Sequence, residues 1–158
     1  KASSKQMQRY QLACTYYSAP GSDDRAYLLA RVVQFFTPGI PQVYYVGLLA
    51  GENDIEALKR GEEPRSINRH TYTEAELADA VRKPMLQDMY KLMRFRNSFP
   101  AFNGEVKVGE DMADGTLRVT WTDGASTAAL EADFRDKSFR ITVTDGGSEQ
   151  VFYSQAGE

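Results

Sequence analysis

Ile40-Pro41-Gln42-Val43-Tyr44-Tyr45-Val46-Gly47 is a short β-branched and aromatic run between Gly39 and Gly47, and its reading decides the fold. Its apolar residues are nearly continuous rather than alternating, the pattern of a parallel strand buried on both faces. Pro41 has no backbone N–H and is tolerated only near the beginning of such a strand. Upstream, Ser22 can cap a helix whose first turn holds Asp23 and Asp24, where the helix dipole favours negative charge. Leu29, Val32, Val33 and Phe36 follow at helical spacing, Leu28 and Phe35 widen the stripe, and Thr37-Pro38-Gly39 ends the element. A helix feeding a buried strand is half of an α/β repeat.

Downstream, residues 48–72 show no clean period, and an excursion of that length is more than a plain connection requires. Thr73 with Glu76 forms a capping box for a helix to about Val81. Pro84 opens another helix, with Met85, Met89, Leu92, Met93 and Arg96 on one stripe, closed by Phe99-Pro100. Beyond Asn103 the period becomes two. Leu117, Val119 and Trp121 alternate with Arg118 and Thr120, and the same pattern recurs over Ala128–Phe134 and Phe139–Val143. Asp114-Gly115, Asp123-Gly124 and Asp145-Gly146 are hairpin turn signals. With residues 106–108 and 151–153, this predicts about five antiparallel strands, with Trp121 facing the core.

The chain has 158 residues, 42% of them hydrophobic and 26% charged, with formal net charge -3, the balance of a globular protein. A chain of this size buries roughly 70% of the surface exposed by its unfolded form and needs no staple. Cys14 is the only cysteine and His70 the only histidine, which excludes an intrachain disulfide and an ordinary zinc site. No stretch approaches the roughly 20 apolar residues that span a bilayer, so a soluble, cytoplasmic protein without a membrane partner is expected. The charge is uneven: residues 1–102 carry net +3 and residues 103–158 net -6. Neither half has the basic excess of a nucleic-acid binder, and Arg82, Lys83, Lys91, Arg94 and Arg96 read as the solvated face of a helix.

The sequence has no phosphate-binding glycine loop, metal-ligand cluster or nucleophile motif. Asp23/Asp24 is explained by capping, and Glu52/Asp54 and Glu62/Glu63 by a solvated loop. His70 can act as a general base or hydrogen-bond within a folded loop; with no carboxylate adjacent in sequence, the loop role is preferred.

Pro38-Gly39-Ile40-Pro41-Gln42-Val43-Tyr44-Tyr45 resembles the last barrel strand of the α-amylase superfamily of (β/α)8 enzymes. Cys14-Thr15-Tyr16-Tyr17-Ser18-Ala19, Tyr45-Val46-Gly47-Leu48-Leu49-Ala50-Gly51-Glu52-Asn53-Asp54 and Ile67-Asn68-Arg69-His70 resemble its sucrose phosphorylase branch, within glycoside hydrolase family 13. The matches run in order from about Gln8 to Phe102. The resemblance implies an α/β fold: residues 1–102 as the C-terminal portion of a (β/α)8 TIM barrel with active-site loops, and residues 103–158 as a small antiparallel all-β domain. The chain begins without methionine and ends in a polar run, as an excised piece would.

By the same resemblance, the catalytic carboxylates lie on earlier barrel strands, so no catalytic residue is expected here and the chain alone is expected to be inactive. Tyr10 and Gln11 belong to the mobile loop facing the acceptor or phosphate, and Arg65 contacts the bound glucosyl unit. A guanidinium's fixed donor fork suits vicinal sugar hydroxyls. Family members carry Asp-Leu ahead of the Tyr-Gln pair, whereas this chain has Gln8-Arg9. Arg9 suits an anionic acceptor, glycerate or a sugar phosphate. The implied reaction is retaining glucosyl transfer between a small glucoside and inorganic phosphate, giving α-glucose 1-phosphate without cofactor or metal. The alternatives are a hydrolase or transglycosylase of the same superfamily, or a non-catalytic carbohydrate-binding module with Trp121 and tyrosines as stacking platforms. Self-association through exposed strand edges is also expected.

Overall fold

The structure, a computed structural model, describes residues 13–109 and 113–157. Helix α1 (Asp24–Phe36) leads into a one-turn helix α2 (Tyr45–Leu48), a short α3 (Ile55–Lys59) and a 3-10 turn at Pro64–Asn68. Helices α4 (Glu74–Ala80) and α5 (Pro84–Ser98) follow, and a 3-10 turn at Pro100–Asn103 hands over to strands β1 (Glu105–Val108), β2 (Thr116–Asp123), β3 (Ser126–Asp133), β4 (Ser138–Asp145) and β5 (Gln150–Gln155).

The five strands form one antiparallel meander in chain order. Val119 pairs with Leu130 and Leu130 with Ile141, so a single apolar row crosses the sheet. β3 alternates strictly, with Ser126, Ala128, Leu130 and Ala132 buried. Gly124 and Gly146 take positive φ in the turns after β2 and β4, as the Asp-Gly signals require. The turn after β3 has no glycine: Lys137 takes positive φ, and Asp133 and Asp136 accept from the backbone N–H groups of Arg135 and Ser138 at 2.9 and 3.0 Å.

One core joins sheet and helices. Phe95, Phe102 and Phe36 make edge-on contacts between 5.2 and 5.3 Å, Phe102 meets Trp121 at 5.8 Å, and Phe95 stacks on Phe152 at 4.1 Å. Trp121 is buried, as its alternation predicts, and its indole Nε1–H donates to the Phe36 carbonyl at 2.8 Å. Sheet and α1 are therefore tied by a directional bond as well as by packing. No helix among the described residues is long and apolar enough to cross a membrane.

Three expectations are corrected. Residues 40–47 form no strand: residues 40–44 are outside regular structure, Tyr44 is extended, and α2 begins at Tyr45. A strand needs a neighbour to receive its N–H and C=O groups, and all the strands among the described residues lie in the 105–155 sheet. Side chains supply partial substitutes, with Gln34 Nε2 donating to the Gln42 carbonyl at 2.8 Å and Arg96 Nη2 to that of Gly39 at 3.0 Å. With no parallel sheet among the described residues, the barrel portion expected over 1–102 is not seen; the sheet is the antiparallel one alone. Second, the cap of α1 is Asp23, whose carboxylate accepts from the N–H groups of Arg25 and Ala26 at 2.8 and 2.9 Å. Ser22 has φ 55, outside the extended conformation that a cap needs.

Third, the basic face of α5 is not wholly solvated. Arg96 lies over the rings of Phe102 and Trp121, 4.5 and 5.1 Å from their centroids, and Lys91 approaches Phe152 and Tyr153. The segment 48–72 is more ordered than its sequence suggests. It holds α3, capped by Asp54, whose carboxylate accepts from the Ala57 N–H at 2.9 Å.

Candidate functional site

Of the four expected substrate-binding residues, Arg9, Tyr10 and Gln11 lie outside the described residues. Arg65 lies in the Pro64–Asn68 turn with its side chain exposed. The turn exists because Pro64 presets φ at its first position, and Ser66 N–H bonds back to the Glu63 carbonyl at 2.9 Å. The structure therefore places one of the four and leaves its guanidinium available.

The base of this turn is held by groups distant in sequence. Asp54 N–H donates to the Ile67 carbonyl at 2.7 Å. The Asp54 carboxylate also meets His70 Nδ1 at 2.9 Å, and Glu76 Oε1 meets His70 Nε2 at 3.2 Å. Tyr45 donates its hydroxyl to the His70 carbonyl at 2.9 Å, and the Tyr72 ring stands edge-on to the imidazole at 4.7 Å. Gly51 is required here: a Cβ would run into the Tyr72 hydroxyl, and would sit 2.7 Å from Val46 Cγ1. The expected lack of a carboxylate beside His70 held only in sequence, because folding supplies two.

The cluster's electrostatics follow from these contacts. Hydrogen bonding to Asp54, reinforced by Glu76, raises the His70 pKa above the usual imidazole value. The bond to His70 lowers Asp54, and the N–H of Thr73 in the capping box lowers Glu76. The arrangement favours an imidazolium between two carboxylates. With both ring nitrogens engaged, His70 has no free lone pair for general-base work. Among the described residues, no group of three or more His, Cys, Asp or Glu side chains is arranged to hold a metal ion.

A cavity of about 530 Å³ adjoins the cluster, lined by Asp54, His70, Tyr72, Glu76 and Lys83 among others. A second, of about 330 Å³, is lined by Tyr16, Arg31, Gln34, Gln42, Asn68 and Cys14. Arg31 is 2% exposed and its guanidinium is held by neutral groups: Nε donates to the Tyr27 hydroxyl at 2.9 Å, Nη1 to Gln34 Oε1 at 2.7 Å, and the Tyr16 ring lies 4.0 Å away. Sequence reasoning missed Arg31, which looks like any arginine on a helix. It explained Asp54, paired with Glu52, by a solvated loop, whereas the carboxylate caps α3 and bonds His70, and an Asp directly before Ile55-Glu56-Ala57 is a recognisable cap signal. Trp121 cannot serve as a sugar-stacking platform, because its ring is in the core.

No family model matches the chain. The sucrose 6(F)-phosphate phosphorylase of Thermoanaerobacterium thermosaccharolyticum is 49% identical over 144 residues, covering 91% of this chain and 29% of that protein. The sucrose phosphorylase of Agrobacterium vitis is 46% identical over 133 residues, covering 84% of this chain and 27% of that protein. The crystal structure of the sucrose 6F-phosphate phosphorylase from Thermoanaerobacter thermosaccharolyticum superposes with TM-score 0.85 at 48% identity, over 90% of this chain and 29% of that one. The chain thus spans less than a third of the length of these relatives. Identity at this level across nine-tenths of the chain, with the same fold, shows that the chain belongs to the family of sucrose phosphorylases and related glycoside phosphorylases, whose C-terminal part it matches.

Proposed function

We propose that this segment is the substrate-positioning part of a retaining α-glucoside phosphorylase, which transfers a glucosyl unit between a small glucoside and inorganic phosphate to give α-glucose 1-phosphate. The observation that carries the reading is the 49% identity to a phosphorylase over 144 residues. Arg65, exposed on a turn clamped at its base, offers its donor fork to the glucosyl hydroxyls. Tyr10 and Gln11 face the acceptor or phosphate, and Arg9 directs the enzyme toward an anionic acceptor, glycerate or a sugar phosphate. The resemblance to the family supports the roles of Arg65, Tyr10 and Gln11; that of Arg9 rests on the departure from the family's Asp-Leu at Gln8-Arg9 and on the charge of the guanidinium. The segment alone has no turnover. Asp54 and Glu76 are committed to His70, whereas retaining transfer needs two carboxylates about 5 to 5.5 Å apart across the scissile bond. The reaction uses no cofactor, and a cytoplasmic location goes with it.

The test is phosphate release from α-glucose 1-phosphate by the whole enzyme, with glycerate, fructose 6-phosphate and fructose compared as acceptors and Arg9→Leu alongside. Release with an anionic acceptor, falling at least about tenfold in Arg9→Leu through loss of a charge-assisted bond, is expected. Release with fructose alone removes the anionic acceptor. No release with any acceptor favours a hydrolase of the same superfamily.

A further inference from the structure

We propose that His70 is a positioning residue for Arg65: with Asp54 it clasps the two ends of segment 54–70 and so fixes the turn that carries the arginine. The proposal rests on the reading of Arg65 as a glucosyl contact and extends it to residues that touch no substrate.

The clasp is built from two carboxylates that each work twice. Asp54 Oδ1 caps α3 through the Ala57 N–H at 2.9 Å, while Oδ2 bonds His70 Nδ1 at the same distance. Glu76 Oε2 accepts from Thr73 N–H and Oγ1–H at 2.7 and 2.9 Å, leaving Oε1 for His70 Nε2 at 3.2 Å. One imidazole therefore joins the start of α3 to the start of α4, and the Arg65 turn is the chain between them. The Asp54 N–H bond to the Ile67 carbonyl closes the same loop from the backbone side. Arg65 has no hydrogen bond or ion pair of its own among the described residues, so its placement depends on the turn's base.

The clasp needs a proton. A neutral imidazole donates from one nitrogen only, and the other would then set its lone pair against a carboxylate oxygen. Besides Asp54 and Glu76, the groups around the ring are Tyr72 at its edge, Arg69 preceding it, and Glu52, Glu56, Asp79 and Lys83 lining the adjoining cavity. The acids outnumber the cations and favour the imidazolium. Because the His70 pKa is raised, the clasp is complete below the ordinary imidazole value and is lost as pH rises through the elevated one.

The experiment uses the whole phosphorylase, following phosphate release from α-glucose 1-phosphate with the acceptor that proves active, or with water where none does. His70→Asn is expected to raise KM for α-glucose 1-phosphate on the order of tenfold with a smaller change in kcat, as a displaced substrate contact does. It is also expected to remove the loss of kcat/KM predicted for the unsubstituted enzyme as pH rises through the elevated His70 value. Asp54→Asn keeps a capping oxygen for α3 and lowers kcat/KM in the same direction, so it carries the test if His70→Asn does not fold. Combined with Arg65→Lys, either variant adds nothing to the single arginine change, because both act through one contact. Additive losses, or a His70→Asn enzyme with unaltered KM and pH profile, overturn the clasp alone. An Arg65→Lys enzyme with unchanged kcat/KM overturns the glucosyl contact itself, and with it the clasp's purpose.

Discussion

Residues 105–155 and residues 37–72 are both rich in β-branched and aromatic side chains, yet the first becomes a complete sheet and the second contains no strand at all. In the first, each strand finds its partner one hairpin away, so the N–H and C=O groups that face it have a nearby destination. In the second, the run at 40–47 has no neighbouring strand among the described residues, and its ends turn to side-chain donors and to a single helical turn. A strand is a property of a pair, and intrinsic preference only says which segments are ready to be one. Burial records the outcome: Leu130 is fully enclosed, while Ile40 is 95% exposed.

The comparison is broken most directly at Leu130. Its side chain has no exposed surface and lies in the row from Val119 to Ile141, so Leu130→Ala loses both transfer energy and packing. A loss of about 2–5 kcal/mol is expected, read from the midpoint of urea unfolding at constant slope. A loss below about 1 kcal/mol, no more than an average point substitution causes, would put the seat of stability outside the sheet.

Trp121→Phe sharpens the same comparison by testing what joins the two regions. The ring position is kept but the Nε1–H bond to the Phe36 carbonyl is lost, leaving a buried acceptor unsatisfied. The expected cost is about 1–3 kcal/mol. Trp121→Leu provides a control in which packing is lost as well. If Trp121→Phe unfolds with the unsubstituted chain, the carbonyl is satisfied by water and packing alone joins α1 to the sheet.

The sheet was legible in the sequence because its signals are local: period two over β2, β3 and β4, and Asp-Gly in three of the connections between consecutive strands. The turn after β3 was less so, because Lys137 adopts positive φ without the glycine that usually announces it, and side chains of Asp133 and Asp136 do the work instead. The capping box at Thr73 and Glu76 was legible for the same local reason. The site was legible only in part. Asp54 and Glu76 stand 16 and 6 positions from His70, and no pattern in the chain pairs them. Their meeting depends on α3 and α4 starting where they do. The Ile40–Gly47 strand failed because its reading presumed a partner, which is the one thing a segment's own residues do not specify.

Ile40→Ser is the smallest expected effect and the most exact test of that point. The side chain is almost wholly solvated, and the backbone at 40–44 belongs to no ladder, so removing the sec-butyl group costs neither packing nor pairing. The unfolding midpoint of the chain should stay within about 0.5 kcal/mol of the starting value, as for surface changes generally. The same substitution in the whole protein reports on the remaining length of the family fold, of which this chain spans less than a third. A loss several times larger there would mean that residues elsewhere in the protein cover Ile40, whereas an equally small one would make its exposure a property of the finished enzyme. A large loss in the segment itself would show that 40–44 is structured by contacts of its own, and would erase the contrast with the sheet.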